Sequence, residues 1–278
     1  MICSIASGKG GTGKTTIATN LAAALADRPV QLLDCDVEAP NSHIFLKPEI
    51  DKTETVHILV PHVDEEKCTL CGRCGEVCEY HAIGVFGKSV LVFPELCHAC
   101  GGCSLACPED AITEVEHAVG ELQRGRAKSI EFVTGQLNIG EAKATPVISA
   151  VKQTIRNSSI TIIDAPPGTS CPVVETVRGS DFVLLVTEPT PFGLNDLKLA
   201  VEVMRKLQLP FAVVLNRADM GDDRVEQFCH TEGIDIVMRI PQDRAIAQAY
   251  SSGQLLIEAM PEYREAFRQL YSDIEVRV

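Results

Sequence analysis

Short runs of consecutive apolar residues alternate with stretches of helical spacing along most of the chain. Ile2–Ala6 leads into a glycine-rich turn, and residues 30–36 (VQLLDCD) end in two acids. Residues 129–133, 159–164 (SITIID), 182–187 (FVLLVT), 211–215 (FAVVL) and 234–240 (IDIVMRI) are further runs of the same kind. Their lengths predict strands buried on both faces rather than pieces of buried helix. Residues 15–26, 144–156, 194–207, 222–231 and 243–250 carry helical composition or spacing between them. Such alternation predicts an α/β fold with a mostly parallel sheet covered on both sides. Near the end, Tyr263, Phe267, Leu270 and Ile274 fall on one helical stripe flanked by Glu262, Glu265, Asp273 and Glu275. A membrane-surface helix carries a more basic polar face, so a helix that packs against the domain is expected.

From about residue 60 to residue 117 the rhythm breaks, and the break is itself a duplication. Residues 67–83 (KCTLCGRCGEVCEYHAI) and 96–112 (LCHACGGCSLACPEDAI) match at an offset of 29. Each copy spaces its cysteines as C-x2-C-x2-C-x3-C: Cys68, Cys71, Cys74, Cys78, then Cys97, Cys100, Cys103, Cys107, with Pro108 after the second run. That run holds four-iron, four-sulfur clusters, the fourth cysteine ordinarily ligating the other cluster. One cluster would then take Cys68, Cys71, Cys74 and Cys107, the other Cys97, Cys100, Cys103 and Cys78. Paired C-x2-C units can also build zinc ribbons, but a third cysteine at the same short spacing in both halves argues against zinc. Each half is too small to bury a core, so metal bonds are expected to replace one.

Composition narrows the class. The chain has 278 residues, 45% of them hydrophobic, enough for a full core with an insertion. No run of about 18 apolar residues occurs, so no membrane span is expected, and no secretory signal is expected before the first strand. Twelve cysteines without an export signal point to metal in a reducing, cytoplasmic compartment rather than to disulfides. A net charge of −13 argues against nucleic-acid binding, whose affinity rests on Lys and Arg. Between Asp64 and Glu116 ten Asp/Glu face three Lys/Arg, a balance of −7, which would select a basic docking partner.

The turn after the first strand, Gly8-Lys9-Gly10-Gly11-Thr12-Gly13-Lys14-Thr15, satisfies the phosphate-binding pattern G-x4-G-K-[ST]. Its glycines let successive N–H groups face phosphate oxygens. Lys14 is expected to reach the β- and γ-phosphates and Thr15 to ligate Mg²⁺, with Thr16 and the helix N-terminus serving the α-phosphate. Asp164, ending a strand in IIDAPPG, can hold a magnesium-bound water.

The early lysine in KGGTGKTT, Lys9, resembles the deviant phosphate loop of the MinD/ParA/Mrp and nitrogenase iron-protein superfamily. The resemblance implies that Lys9 crosses a dimer interface to the partner's nucleotide. LLDCDVEAPN looks like the family's first switch, with Asp36 matching the acid that positions attacking water and Asp34 ordering magnesium-bound water or the loop. DAPPG looks like the second switch. VVLNRAD places Asn216 at the adenine edge, and RIPQD places Pro241 and its neighbours beside the base. The cysteine segment resembles a bacterial two-cluster ferredoxin, except that Glu79 follows Cys78 where proline is usual. Taken together, the chain resembles a MinD-superfamily ATPase with an inserted ferredoxin module. The implied divisions are a P-loop ATPase domain over 1–59 and 118–278 and a small α+β ferredoxin-like insertion over 60–117.

The resemblance implies ATP, Mg²⁺ and two [4Fe-4S] clusters, and catalytic roles for Lys9, Lys14, Asp36 and Asp164. It implies a homodimer, or a heterodimer with a related ATPase, formed on ATP binding, and no stable membrane association. Two functions remain. In one, ATP gates electron transfer or metallocluster assembly toward a redox or cluster-accepting protein. In the other, the protein is a positioning or assembly switch whose clusters serve as redox sensor or clamp. Of the remaining cysteines, Cys3, Cys35 and Cys229 suit packing. Cys171 stands at the offset from the second-switch Asp where a nitrogenase iron-protein ligand stands, without an evident companion.

Overall fold

The apolar runs lie side by side and parallel because each is buried on both faces and the helices between them return the chain to the same end of the sheet. The structure, a computed structural model, describes residues 1–157 and 159–278. Its strands are β1 (Ile2–Ala6), β2 (Val30–Asp34), β3 (Glu49–Val63), β4 (Ile83–Phe86), β5 (Ser89–Val92), β6 (Ile112–Ala127), β7 (Ile130–Leu137), β8 (Ile160–Asp164), β9 (Phe182–Thr187), β10 (Phe211–Asn216) and β11 (Ile236–Ile240). The helices are α1 (Lys14–Ala24), α2 (Ser42–Leu46), α3 (Arg73–Glu76), α4 (Gly102–Ala106), α5 (Thr145–Lys152), α6 (Cys171–Val177), α7 (Pro191–Leu207), α8 (Arg224–Thr231), α9 (Arg244–Ser251), α10 (Leu256–Ala259) and α11 (Tyr263–Glu275).

Among the described residues, one sheet runs in the order β11-β10-β9-β1-β8-β2-β7-β6-β3. From β11 to β7 neighbours are parallel, whereas β6 is antiparallel to both β7 and β3. Phe267, Leu270 and Ile274 of α11 pack with Ile17 and Leu21 of α1 over one face. The terminal stripe is therefore core. Leu197, Val201 and Met204 of α7 pack on the other face with Val225 of α8. The start of α7 is set locally: Thr190 accepts the Gly193 N–H as N-cap, and Pro191 stands in the first turn. Among the described residues no helix is long and apolar enough to cross a membrane.

The long antiparallel pair β3–β6 departs from the sequence-based expectation of a break beginning near residue 60. Its ladder runs from Glu49↔Arg126 to Val63↔Ile112, through positions 59/60 and 117/118. The first nine residues of β3 are mostly exposed, so no apolar alternation marked them as a strand. Residues 64–111 hang from the far end of this ladder, closed at the neck by Asp64 N–H donating to Ala111 C=O at 2.8 Å. Ala82 and Cys97 join Ile58, Val60, Val119 and α5 in a shared apolar cluster, whereas Cys74, Ile83 and Ile112 form a small cluster of their own. One end of the segment is therefore fused to the core of the larger body.

Candidate nucleotide site and cysteine cavities

A ligand is expected beyond the carboxyl ends of parallel strands, where the strand order reverses. Here β1 lies between β8 and β9, and the loop after β1 sits at that reversal. A cavity of about 390 Å³ opens there, lined among others by Gly10, Gly11, Gly13, Lys14, Thr15, Thr16, Asp36, Asn216 and Tyr250. Lys14 is buried and donates to Ser7 Oγ at 3.0 Å. Desolvation lowers its pKa, opposed by the charges of Asp164 and Asp36. Gly8 lies under α7: an added Cβ would collide with the Asp196 carbonyl and stand 2.7 Å from Asp196 Cβ. Gly8→Ala is expected to destabilise the fold by about 1–3 kcal/mol, the usual cost of overpacking, and to weaken nucleotide binding, read by thermal melting with and without ATP.

Asp34 and Asp164 pair in register on adjacent strands, both fully buried. Asp34 accepts N–H bonds from Asp36 (3.2 Å), Asn41 (3.1 Å) and Ser42 (2.9 Å), which folds residues 36–42 back over the strand ends. Ser42 Oγ donates to Asp164 Oδ2 at 3.1 Å, while Asp164 Oδ1 is buried without a partner. Burial raises Asp164 to about 6, against the pull of Thr15 and Lys14. Burial, then the neighbouring Asp164 charge, raises Asp34 well above the usual carboxylate range. Desolvation also raises Asp36, which Lys14 counters. Hard oxygen ligands with an unsatisfied carboxylate oxygen beside Thr15 fit Mg²⁺, which favours one or two carboxylates plus phosphate.

Lys9 does not line the cavity. Its ammonium lies 3.5 Å from Glu188, whose side chain is 8% exposed and which Arg217 approaches to 2.7 Å. Asn216 donates through Nδ2 to Thr12 C=O at 2.8 Å and accepts Arg217 N–H at 3.0 Å, tying β10 to the phosphate loop. An amide has further donor and acceptor capacity for a base edge. Pro241 is exposed and does not line the cavity, whereas its neighbours Ile240 and Gln242 do. Ser7, Ser42 and Glu188 lay outside the quoted motifs, and Arg217 entered only as the neighbour of Asn216 in VVLNRAD. Glu188 and Arg217 each follow the end of a parallel strand, and that position was the signal available.

The cysteine copies repeat in conformation as well as in sequence. Left-handed residues recur at the 29-residue offset: Leu70 and Ala99 (φ 59° and 53°), Gly72 and Gly101 (83° and 70°), His81 and Asp110 (52° and 49°). Ala82 N–H points at Cys78 Sγ, and Ala111 N–H at Cys107 Sγ, both at 3.3 Å. Two cavities result. One is lined by Cys68, Cys71, Cys74 and Cys107, the other by Cys97, Cys100, Cys103 and Cys78. Each cavity thus collects three cysteines of one run and the fourth of the other. Among the described residues no three His, Cys, Asp or Glu converge on a point that one metal ion could occupy. Four thiols around a cavity, with backbone N–H groups on the sulfurs, are a donor set that fits an iron–sulfur cluster. Cys171 stands exposed at the start of α6; Cys3, Cys35 and Cys229 are buried.

Known proteins resemble this chain in sequence, and solved structures resemble it in fold. An uncharacterized protein of Methanocaldococcus jannaschii is 31% identical, covering 93% of this chain and 92% of its own. A Pyrococcus horikoshii protein named iron-sulfur cluster carrier protein is 26% identical, covering 90% and 76%. The septum site-determining protein MinD of Pyrococcus horikoshii, solved with Mg-ADP, superposes with a TM-score of 0.60 at 19% identity, covering 98% and 95%. The Pyrococcus furiosus cell division ATPase MinD gives 0.61 at 21%, covering 100% and 99%. Residues 3–257 match the family described as the CobQ/CobB/MinD/ParA nucleotide binding domain, and to that family this chain belongs.

Proposed function

We propose that this chain is an ATP-binding and ATP-hydrolysing iron–sulfur protein, in which a nucleotide-driven dimer is coupled to two [4Fe-4S] clusters for ATP-gated electron transfer or metallocluster assembly. The observation that carries the reading is the partition of eight cysteines between two cavities in crossed sets, on a segment rooted in the sheet that forms the nucleotide pocket. The name of the Pyrococcus horikoshii relative supports a link to clusters. When bound, the clusters would supply one-electron chemistry, and Mg²⁺ would neutralise phosphate charge.

The chain's own residues divide the work. Lys14 and the loop N–H groups hold the phosphates, and Thr15 and Asp164 would hold the magnesium or its bound water. Asp36 orients the water that attacks the γ-phosphorus; the bond to the bridging oxygen breaks, releasing ADP and phosphate. Asn216, Ile240 and Gln242 border the base. Lys9 leaves Glu188 to reach the nucleotide of a second subunit, the same chain or a related ATPase. The acidic segment docks a basic redox or cluster-accepting partner in the cytoplasm, without nucleic acid or stable membrane attachment.

Spectroelectrochemistry of anaerobic protein with and without a non-hydrolysable ATP analogue tests the coupling. A linked pair of sites typically interacts by about 1–3 kcal/mol, a one-electron shift of about 40–130 mV at about 59 mV per tenfold. Identical potentials in both nucleotide states would remove gating by potential. The clusters would then act as a clamp or a passive relay.

A further inference from the structure

The loop between β7 and α5, residues 138–144, touches both halves of the molecule. At its near end, Leu137 N–H donates to the carbonyl of Val37, the residue after Asp36, at 2.8 Å. The Val37 side chain packs on Gly135, where an added Cβ would stand 2.8 Å from Val37 Cγ1 and 2.7 Å from Val147 Cγ1 of α5. Val37 is therefore hydrogen-bonded to the end of β7 and packed in one cluster with Val147 of α5. At its far end, Lys143 Nζ donates to the carbonyls of Pro94 (2.8 Å) and Glu95 (2.9 Å). The Pro94 carbonyl also receives the N–H of Cys97 at 3.1 Å. The same carbonyl thus joins the lysine to Cys97, which lines the cavity shared with Cys100, Cys103 and Cys78.

The loop is held at a third point. Glu141, its side chain 7% exposed, meets His117 of β6 at 2.7 Å. Asn138 N–H and Nδ2 donate to the carbonyls of Val119 (2.9 Å) and Ala118 (3.0 Å). The loop therefore rides on the neck strand while it bridges Val37 to the turn before Cys97. Cys35, Val37, Val119, Val147, Ala82 and Cys97 also share one buried apolar cluster, so rigid packing accompanies the hydrogen bonds.

We propose that Lys143 is a positioning residue that transmits the state of the first nucleotide switch to Cys97, through the 138–144 loop and the Pro94 carbonyl. The inference rests on the two-cluster reading given above. It adds which cluster responds, the one in the Cys97, Cys100, Cys103 and Cys78 cavity, and by which side chain. Cluster potential depends on nearby charge and on hydrogen bonding around the sulfurs. An ammonium that shifts relative to the 94–97 turn changes both. Lys143 is absent from the nucleotide pocket lining, so its removal should spare ATP binding.

The test uses the full chain, purified and reconstituted anaerobically, with a non-hydrolysable ATP analogue as probe. In the unaltered protein the responding cluster should shift by at least tenfold in its one-electron equilibrium, about 59 mV. In Lys143→Ala the shift should fall to a third or less with unchanged analogue affinity and iron content, and Lys143→Arg should restore it. A full shift in Lys143→Ala overturns the inference and leaves the proposed function standing. Absence of any shift in the unaltered protein overturns the inference together with gating by potential. Should Lys143→Ala fail to retain its clusters, hydrogen exchange on the unaltered chain decides. The analogue should change protection of 94–97 together with 137–144, and unchanged 94–97 overturns the inference.

Discussion

Lys9→Ala is expected to lower ATP turnover by roughly 10³–10⁵-fold, the worth of a cation supplied across an interface to a transferring phosphoryl group, while single-chain nucleotide binding persists. The geometry separates the two loop lysines. Lys14 lines the nucleotide cavity and is buried, whereas Lys9 is outside it, a third exposed and held by Glu188. Lys14→Ala should therefore weaken binding itself, measured by calorimetry. Lys9→Ala should instead abolish ATP-dependent dimerisation, measured by light scattering alongside phosphate release. Mixing Lys9→Ala with Asp36→Ala chains probes the composite site, because each half of a mixed dimer inherits a different defect. Normal turnover and dimerisation by Lys9→Ala would refute the assignment.

Anaerobically prepared protein should carry about eight iron and eight acid-labile sulfide per chain, since two four-cysteine sets are complete. Cys78→Ser should remove or convert the cluster bounded by Cys97, Cys100 and Cys103 and leave the one at Cys68, Cys71 and Cys74. Cys107→Ser should do the reverse, because the fourth cysteine of each run lines the cavity of the other. Electron paramagnetic resonance of the two variants resolves which signal is lost. Loss of the cluster on the same run would refute crossed ligation alone; zinc in place of iron after reconstitution would refute the cluster reading altogether.

The parallel strands were legible because burial on both faces leaves uninterrupted apolar runs: FVLLVT became β9 without change of boundary. The same logic failed for β3. EIDKTETVH carries few apolar residues and is mostly exposed, and its pairing with β6 comes from a strand more than fifty residues away. The phosphate loop and both cysteine runs could be read directly, but their buried neighbours could not. Ser42 became part of the acid cluster only when the loop folded onto Asp34 and brought its hydroxyl to Asp164.

Residue order alone determined the features whose chemistry is local. A phosphate cradle and three of the four cysteines around each cavity are contiguous, so spacing suffices to specify them. The alternation of strand and helix is local in the same sense, since burial acts on each segment. Tertiary structure decided everything that depends on strand order and register: the facing carboxylates of Asp34 and Asp164, the pairing of Lys9 with Glu188, and the reach of Lys143 to the turn before Cys97. Those contacts join residues tens to more than a hundred positions apart. No periodicity along the chain encodes them, because they exist only once the sheet has brought distant strand ends together.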